Sequence, residues 1–193
     1  MVWNDKNLEK MLINNKVVVM PTDTIYGIVG SALNESVVNH IYEIRKRAPL
    51  KPCIILIADI KDLAKFSINL SHEQNNKIKE YWSFDKTQGF QSRPTSIVFD
   101  CTDQKLFYLH RGTQALAFRL PAQQGLRDLL KKTGPLIAPS ANLEGLSPAN
   151  NIYEAKNYFH ELVDLYIDGG ERNGNPSKVI KLHKDGSALI LRE

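Results

Sequence analysis

The sequence predicts an α/β domain in which helices flank a mixed β-sheet. Short, continuous apolar runs, such as residues 17–20 and 53–58, are typical of strands that are buried on both faces. Segments whose apolar residues recur at helical spacing, such as residues 35–47, lie between the earlier runs. The later runs follow one another without a predicted helix, so we expect antiparallel as well as parallel strand pairs.

Nine apolar runs are predicted to be strands. Pro21 ends the first run because proline lacks an amide donor, and Gly27 interrupts the second because glycine weakens a strand. In chain order the predicted strands are residues 17–20, 25–29, 53–58, 95–100, 115–120, 136–139, 165–167, 179–182 and 188–191.

Five segments are predicted to be helices. In the second of them the apolar residues between positions 37 and 44 form one stripe, and Asn34 or Ser36 is the expected N-cap. The polar segment 83–94 is expected to be a long loop. The predicted helices are residues 8–15, 35–47, 60–68, 72–81 and 126–132.

The composition is that of a globular protein. The chain has 193 residues, 42% of them hydrophobic and 24% charged, and it shows no internal repeat or linker, so we expect a single domain over residues 1–193. The net charge of +4 suits a nucleotide as well as it suits nucleic acid. Cys53 and Cys101 do not suggest a disulfide framework. The sequence shows neither a signal segment nor a membrane-spanning run, so we expect a cytoplasmic protein without membrane association.

The segment 21–27 is the first that carries side chains suited to ligand binding. It contains four polar side chains, those of Thr22, Asp23, Thr24 and Tyr26. The segment follows a predicted buried strand, and α/β proteins place ligands in loops at strand ends. The alternative is a simple turn whose side chains satisfy local backbone groups.

The segment 45–52 brings several cations together. Arg45, Lys46 and Arg47 end a predicted helix, where cations interact favourably with the helix dipole, and Lys51 follows them. Such clusters bind phosphates and carboxylates, to which arginine offers two parallel N–H donors. The alternative is a solvated helix end.

The segment 139–149 follows the predicted strand 136–139. Ser140 and Asn142 offer short hydrogen-bonding groups at the end of that strand, and Gly145 permits a turn of unusual backbone geometry. The alternative is again a turn, since serine, asparagine, glycine and proline are the residues that turns use.

Several common catalytic signatures are absent from the sequence. There is no P-loop, no dinucleotide-binding glycine pattern and no serine-hydrolase elbow. The histidines are scattered singly, without the spacing of metal ligands, so no metal-binding residue is predicted.

Five elements, in this order and at these separations, carry a resemblance to a known family. They are residues 21–27; Arg45, Arg47, Lys51 and Pro52; residues 117–121; residues 134–136 with 140–145; and residues 176–179. Together they resemble the YrdC/TsaC family of threonylcarbamoyl-AMP synthases, in its single-domain form. Two departures stand out: Arg45 replaces a common lysine, and Ser92 and Arg93 replace a proline and a glycine, so we expect the loop there to be displaced.

The resemblance implies a fold and a reaction. The fold is an open, twisted, mixed sheet flanked by helices, with a concave basic groove for the ligand. The reaction joins L-threonine, bicarbonate and ATP, with the help of Mg²⁺, into threonylcarbamoyl-AMP and pyrophosphate. The product would serve tRNA threonylcarbamoyladenosine modification through downstream tRNA threonylcarbamoyl-transferase proteins, and weak tRNA binding is a further expectation.

The resemblance also implies roles for ten residues. Arg45, Arg47 and Lys51 would contact the phosphates and the threonine carboxylate as the catalytic cations. The expected substrate-binding residues are Asp23, Thr24, Tyr26, Ser140 and Asn142, and the expected nucleotide-binding residues are Arg119 and Ser177.

Two other functions use the same residues and stay open at the level of the sequence. One is an RNA-binding protein of the same fold, whose groove would grip phosphates with the same cations. The other is a nucleotide-binding paralogue without synthase activity.

Overall fold

Nine strands form one mixed sheet in the computed structural model, which describes residues 2–48, 50–82 and 94–193. The strands are β1 (Val18–Pro21), β2 (Tyr26–Ser31), β3 (Ile54–Leu56), β4 (Thr95–Asp100), β5 (Ala115–Arg119), β6 (Leu136–Ile137), β7 (Leu165–Tyr166), β8 (Lys178–Leu182) and β9 (Ala188–Arg192). Their order across the sheet is β7-β1-β2-β6-β3-β5-β4-β8-β9. The sheet contains parallel pairs such as β3 with β5 and antiparallel pairs such as β4 with β5, which confirms the predicted mixed sheet.

Six α-helices accompany the sheet in the same residues. They are α1 (Lys6–Ile13), α2 (Glu35–Ile44), α3 (His72–Tyr81), α4 (Phe107–His110), α5 (Gln124–Thr133) and α6 (Ile152–Phe159). Asn34, one of the two expected caps, accepts a hydrogen bond from the amide of Val37 at the start of α2. In the described ranges, no helix combines the length and the apolar character needed to cross a membrane.

The sheet separates two hydrophobic cores. One face packs against α2, α3 and α6, through residues such as Ile41, Ile78 and Phe159. On the other face β1, β2 and β6 pack against α1 and α5, through residues such as Leu12 and Leu129. Beyond those two helices the second face is open, and this open half of the sheet forms the floor of a groove.

The predicted helix 60–68 needs correction, because this segment forms the 3-10 helix Ile60–Phe66. The helix begins with a capping box at Asp59 and ends where Ser67 adopts a left-handed φ of 58°. A 3-10 helix is common in short connections such as this one, between β3 and α3.

The absence of a helix among the late strands was also predicted wrongly, since α6 separates β6 from β7. Its buried residues Ile152, Ala155 and Phe159 do recur at helical spacing, and Asn151 caps its start. The signal is therefore in the sequence, but it extends over only eight residues. The predicted long loop, including Ser92 and Arg93, lies outside the described residues except for Pro94.

Candidate functional site

A groove of about 400 Å³ runs over the open half of the sheet. Six of the ten sequence-predicted site residues line it, namely Thr24, Tyr26, Arg47, Arg119, Ser140 and Ser177. The other four, Asp23, Arg45, Lys51 and Asn142, contact lining residues from behind or beside them. Two other surface depressions, both beside Asn4, contain none of the ten.

Small side chains form the floor of this groove. In β5, Ala115 and Ala117 face the groove, whereas Leu116 and Phe118 are buried in the core on the opposite face, as the two-residue period of a strand requires. Ala117 lies beside Val98 of β4, which also lines the groove. The result is a flat, apolar surface next to the polar ends of the strands.

The turn between β1 and β2 presents hydroxyl groups at one end of the groove. The Thr22 hydroxyl donates to the carbonyl of Ile25 at 2.7 Å and accepts from the amide of Thr24 at 3.2 Å. The Thr24 hydroxyl lies 3.2 Å from the Thr22 hydroxyl and lines the groove. Local hydrogen bonds therefore shape this turn, which is the alternative that the sequence left open, and Thr22 and Thr24 both line the groove.

Asp23 and Arg119 form a buried ion pair behind that turn. Nε and Nη2 of Arg119 donate to the same oxygen, Oδ1 of Asp23, at 3.0 and 2.7 Å. The two side chains are only 1% and 4% exposed. Asp23 thus holds Arg119 in the groove wall, and its carboxylate has little surface left with which to orient a ligand directly.

The Tyr26 hydroxyl is bonded to a neighbouring loop. We call residues 168–177 the strap, since this segment runs past the β1–β2 turn to the groove. The hydroxyl accepts from the amide of Gly169 and donates to the carbonyl of Gly170, both at 2.8 Å. Burial is the main reason why the pKa of Tyr26 is raised. The structure therefore places this phenol as an anchor for the strap.

Gly174 packs closely against the turn, because a Cβ atom at this position would overlap the backbone oxygen of Thr24. We expect Gly174→Ala to push the strap away from the turn and to lower the free energy of unfolding by about 1–3 kcal/mol. Urea denaturation measures this loss. Asn173→Ala is the matched control, since the Asn173 side chain is exposed and contacts Glu171. A Gly174→Ala protein as stable as the control would contradict the close contact.

Arg45 is buried and holds the loop that follows β6. Its side chain donates to the backbone oxygen of Asn142 at 3.0 Å, to Oδ1 of Asn142 at 2.9 Å and to Oγ of Ser140 at 3.3 Å. The residue is 1% exposed, and burial, reinforced by the charge of Arg47, lowers the pKa of Arg45 to about 10. The direct contact between Arg45 and phosphate stays a prediction: Nε and Nη2 hold the loop that follows β6, whereas Nη1 is buried without a hydrogen-bond partner among the described residues.

The loop that follows β6 is also held by hydrogen bonds among its own residues. The Ser140 hydroxyl donates to Oδ1 of Asn142 at 2.6 Å, and Nδ2 of Asn142 donates to the carbonyls of Leu143 and Leu146, both at 2.8 Å. Asn142 is 6% exposed, so its polar atoms serve the loop itself. Ser140 lines the groove and its backbone is bridged to Gly27 of β2, so the residue is held in a rigid frame.

Arg47 and Lys51 form the accessible part of the cationic cluster. Arg47 donates from Nε to the carbonyl of Lys51 at 2.9 Å and from Nη2 to the carbonyl of Pro52 at 3.1 Å. Both cations also meet the carboxylate of Glu144, Lys51 at 2.6 Å and Arg47 at 3.4 Å. The side chain of Lys51 is 61% exposed, whereas Arg47 lines the groove.

Ser177 lies where β8 meets the far wall of the groove. Its hydroxyl lies 2.8 Å from the hydroxyl of Ser96, and Arg192 donates to its backbone oxygen at 2.7 Å. Ser177 is 1% exposed, yet it lines the groove together with Arg192. The arginine brings another positive charge to this end.

Three parts of the site were missed by reasoning from the sequence. Glu144 lies inside a recognised element but received no role, Arg192 directly follows a predicted strand, and residues 168–175 of the strap contain no motif beyond their glycines. The pairing of β8 with β9 brings Arg192 to the groove, and the hydrogen bond from the Tyr26 hydroxyl to Gly170 brings the strap there. In the described residues, no group of three or more His, Cys, Asp and Glu side chains is arranged to hold a metal ion.

Comparison with known proteins gives concordant matches. The sequence model of the Sua5/YciO/YrdC family, described as telomere recombination, matches residues 10–193. The threonylcarbamoyl-AMP synthase of Pyrococcus abyssi is 28% identical over 182 residues, which cover 93% of this chain and 51% of that protein. The threonylcarbamoyl-AMP synthase of Hahella chejuensis is 24% identical over 194 residues, covering 99% of this chain and 98% of that protein.

Among solved structures, the crystal structure of P. abyssi Sua5 complexed with L-threonine superposes with a TM-score of 0.82 at 26% identity. The match covers 100% of this chain and 54% of that one. This chain therefore spans about half the length of the first curated relatives that it matches.

Proposed function

The chain belongs to the Sua5/YciO/YrdC family, and on that premise we propose that it is a threonylcarbamoyl-AMP synthase. It would form threonylcarbamoyl-AMP and pyrophosphate from L-threonine, bicarbonate and ATP. Relatives named for this activity support the proposal, as does the related structure that contains L-threonine. The observation that carries it is one groove in which hydroxyl groups, fixed cations and an apolar floor lie side by side.

Each part of the groove suits one part of the substrates. Thr24 and Ser140 line the groove, and their hydroxyls would hydrogen-bond threonine and its carbamate. Arg47 and Arg119 provide charge for the phosphates and the threonine carboxylate. The flat surface around Ala117 would accept the face of a nucleobase.

The reaction needs little proton transfer by the protein. The threonine amine attacks the carbon of CO₂ and loses a proton, or attacks bicarbonate with loss of a water molecule, and either route yields a carbamate. A carbamate oxygen then attacks the α-phosphorus of ATP, and the bond from that phosphorus to the bridging oxygen breaks as pyrophosphate leaves. Charge grows on the phosphate oxygens and on the leaving group, so we assign catalysis mainly to positioning and to the fixed charges of Arg47 and Lys51.

Four of the ten residues are better proposed as positioning residues. Asp23 would hold Arg119, while Arg45 and Asn142 would hold the loop that presents Ser140. Tyr26 would act in the same way on the strap. Ser177 keeps its proposed place at the nucleotide end of the groove, beside Arg192.

Mg²⁺ is proposed to enter with the triphosphate. The carboxylates of Asp23 and Glu144 beside the groove are each hydrogen-bonded to cationic side chains, so neither is offered to a metal ion in this arrangement. Mg²⁺ commonly keeps several waters and binds through substrate phosphates together with one or two carboxylates, and here we assign its binding to the phosphates and waters. Bound in this way, the ion would neutralise charge on the leaving pyrophosphate.

The proposed product has a use in tRNA modification. Downstream tRNA threonylcarbamoyl-transferase proteins would transfer its threonylcarbamoyl group to adenosine in tRNA, and we expect this to take place in the cytoplasm. Weak binding of tRNA by this chain stays a prediction, and ATP should displace the tRNA if both use the cluster around Arg47.

The decisive experiment is to measure pyrophosphate release. We expect release from ATP to require both L-threonine and bicarbonate, and labelled threonine should appear in threonylcarbamoyl-AMP. Omitting each substrate in turn, and replacing threonine with valine, provides the controls. Release that is indifferent to threonine would refute the synthase and would favour a paralogue that only binds or hydrolyses nucleotides.

A further inference from the structure

Glu144 places a carboxylate directly on the cations that the proposed reaction needs. Its Oε1 accepts from Nζ of Lys51 at 2.6 Å, and its Oε2 lies 3.4 Å from Nη1 of Arg47. The side chain is 27% exposed, so it lies at the edge of the cluster rather than deep inside it. The hydrogen bond from Lys51 is the main reason why the pKa of Glu144 lies below its ordinary value, and the carboxyl is ionised at neutral pH.

The geometry of Arg47 makes this contact significant for an incoming anion. Backbone carbonyls of Lys51 and Pro52 already take Nε and one hydrogen of Nη2. Because the guanidinium has five N–H donors in a fixed plane, Nη1 is a principal site left for a phosphate, and Glu144 lies next to it. A phosphate that binds this cluster must therefore share its donors with Glu144 or displace it.

The loop around Glu144 lets the side chain move while its backbone stays in place. The Glu144 amide donates to the carbonyl of Arg45 at 2.9 Å, and the side chain of Arg45 is bonded in turn to Asn142. The carboxylate is attached to this rigid backbone by three side-chain torsions, so a rotamer change is sufficient to move it away from Lys51.

We infer that Glu144 is an internal competitor of the phosphate ligand. It holds Lys51 and Arg47 when the groove is empty, and the triphosphate of ATP displaces it from Lys51. This inference rests on the proposed function for the identity of the ligand. Two consequences follow: Glu144 lowers the affinity for polyphosphates, and its return to Lys51 favours the release of pyrophosphate.

The test uses Glu144→Gln, which keeps the shape of the side chain and removes its charge. Calorimetric titration with inorganic triphosphate and with ATP, at one fixed salt concentration, should give roughly three- to tenfold tighter binding than in the unsubstituted protein. Glu43→Gln is the matched control, since it removes the same charge near the same helix end, where Glu43 lies against His40. Unchanged or weaker binding by Glu144→Gln would overturn the inference.

The partner of Glu144 is tested with Lys51→Met. If competition acts through Lys51, the gain from Glu144→Gln should fall below about twofold in the Lys51→Met background, because coupled residues are not additive. A gain of full size in that background would overturn the proposed displacement from Lys51. Thermal unfolding verifies that each variant is folded. If Glu144→Gln does not fold, Glu144→Ala replaces it and should likewise bind triphosphate more tightly.

Kinetics separate this inference from the proposed function. In an active protein, Glu144→Gln should lower the KM for ATP and make pyrophosphate a stronger product inhibitor, whereas a merely structural role would lower kcat without these changes. Tighter triphosphate binding without any threonine-dependent pyrophosphate release would uphold the competitor and refute the synthase.

Discussion

Replacing Arg119 with alanine is expected to lower the free energy of unfolding by about 3–5 kcal/mol, because the change leaves the carboxylate of Asp23 buried without its partner. The Asp23 side chain is only 1% exposed in the structure, and Arg119 gives it two hydrogen bonds. Urea denaturation at neutral pH measures the loss.

The double variant Asp23→Asn/Arg119→Gln is the control for the buried charge. It removes both charges and retains hydrogen-bonding groups, so it should be more stable than the sum of the two single substitutions implies. Strictly additive losses would show that the two side chains do not act as a pair. Arg119→Ala should also weaken ATP binding, since Arg119 lines the groove, but the loss of stability is the larger expected effect.

Arg47→Ala is expected to lower the rate of threonine-dependent pyrophosphate release by roughly ten- to a hundredfold, because a charge-assisted contact contributes on the order of 1.5–3 kcal/mol. The substitution also removes the hydrogen bonds to Lys51 and Pro52, so a decrease in stability of about 1 kcal/mol should accompany it. Arg47→Lys keeps the charge but loses the planar pair of donors, so we expect an intermediate rate.

Lys46→Gln is the matched control for the cluster, since Lys46 is a neighbouring cation whose side chain is exposed. It should retain activity close to that of the unsubstituted protein and change stability by no more than about 0.5 kcal/mol. Turnover by Arg47→Ala that equals the Lys46→Gln control would remove Arg47 from the proposed site.

The architecture was largely predictable because strands and helices leave local patterns. Each of the nine predicted strands is present, with bounds within three residues of the expected ones at every end, since apolar runs bounded by turn residues are a property of neighbours in the chain. The segment 95–100 was predicted at its observed bounds. The eight-residue helix α6 was missed because a short stripe has few repeats from which to recognise a period.

The positions of the predicted ligand-binding segments could be read from the sequence, whereas the hydrogen-bond partners of each side chain could not. Strand ends and a cation-rich helix end show where chemistry can lie. They do not show that Arg45 and Asn142, 97 residues apart, use their donors and acceptors on each other, or that Asp23 meets Arg119 across 96 residues. Arg45, Arg119 and Asn142 are each less than 7% exposed, and the Asp23 side chain is 1% exposed.

The sequence by itself determined the class of fold, three of the loops that line the groove and the positive charge brought to it. Only the tertiary structure decided which groups in those loops are accessible to a ligand: Arg47, Thr24 and Ser140 line the groove, while Arg45 is held behind it. The physical reason is that periodicity and turn chemistry depend on adjacent residues. Accessibility depends on which distant partner takes each hydrogen bond, and Glu144 meets Lys51 only because the sheet brings together two loops 93 residues apart.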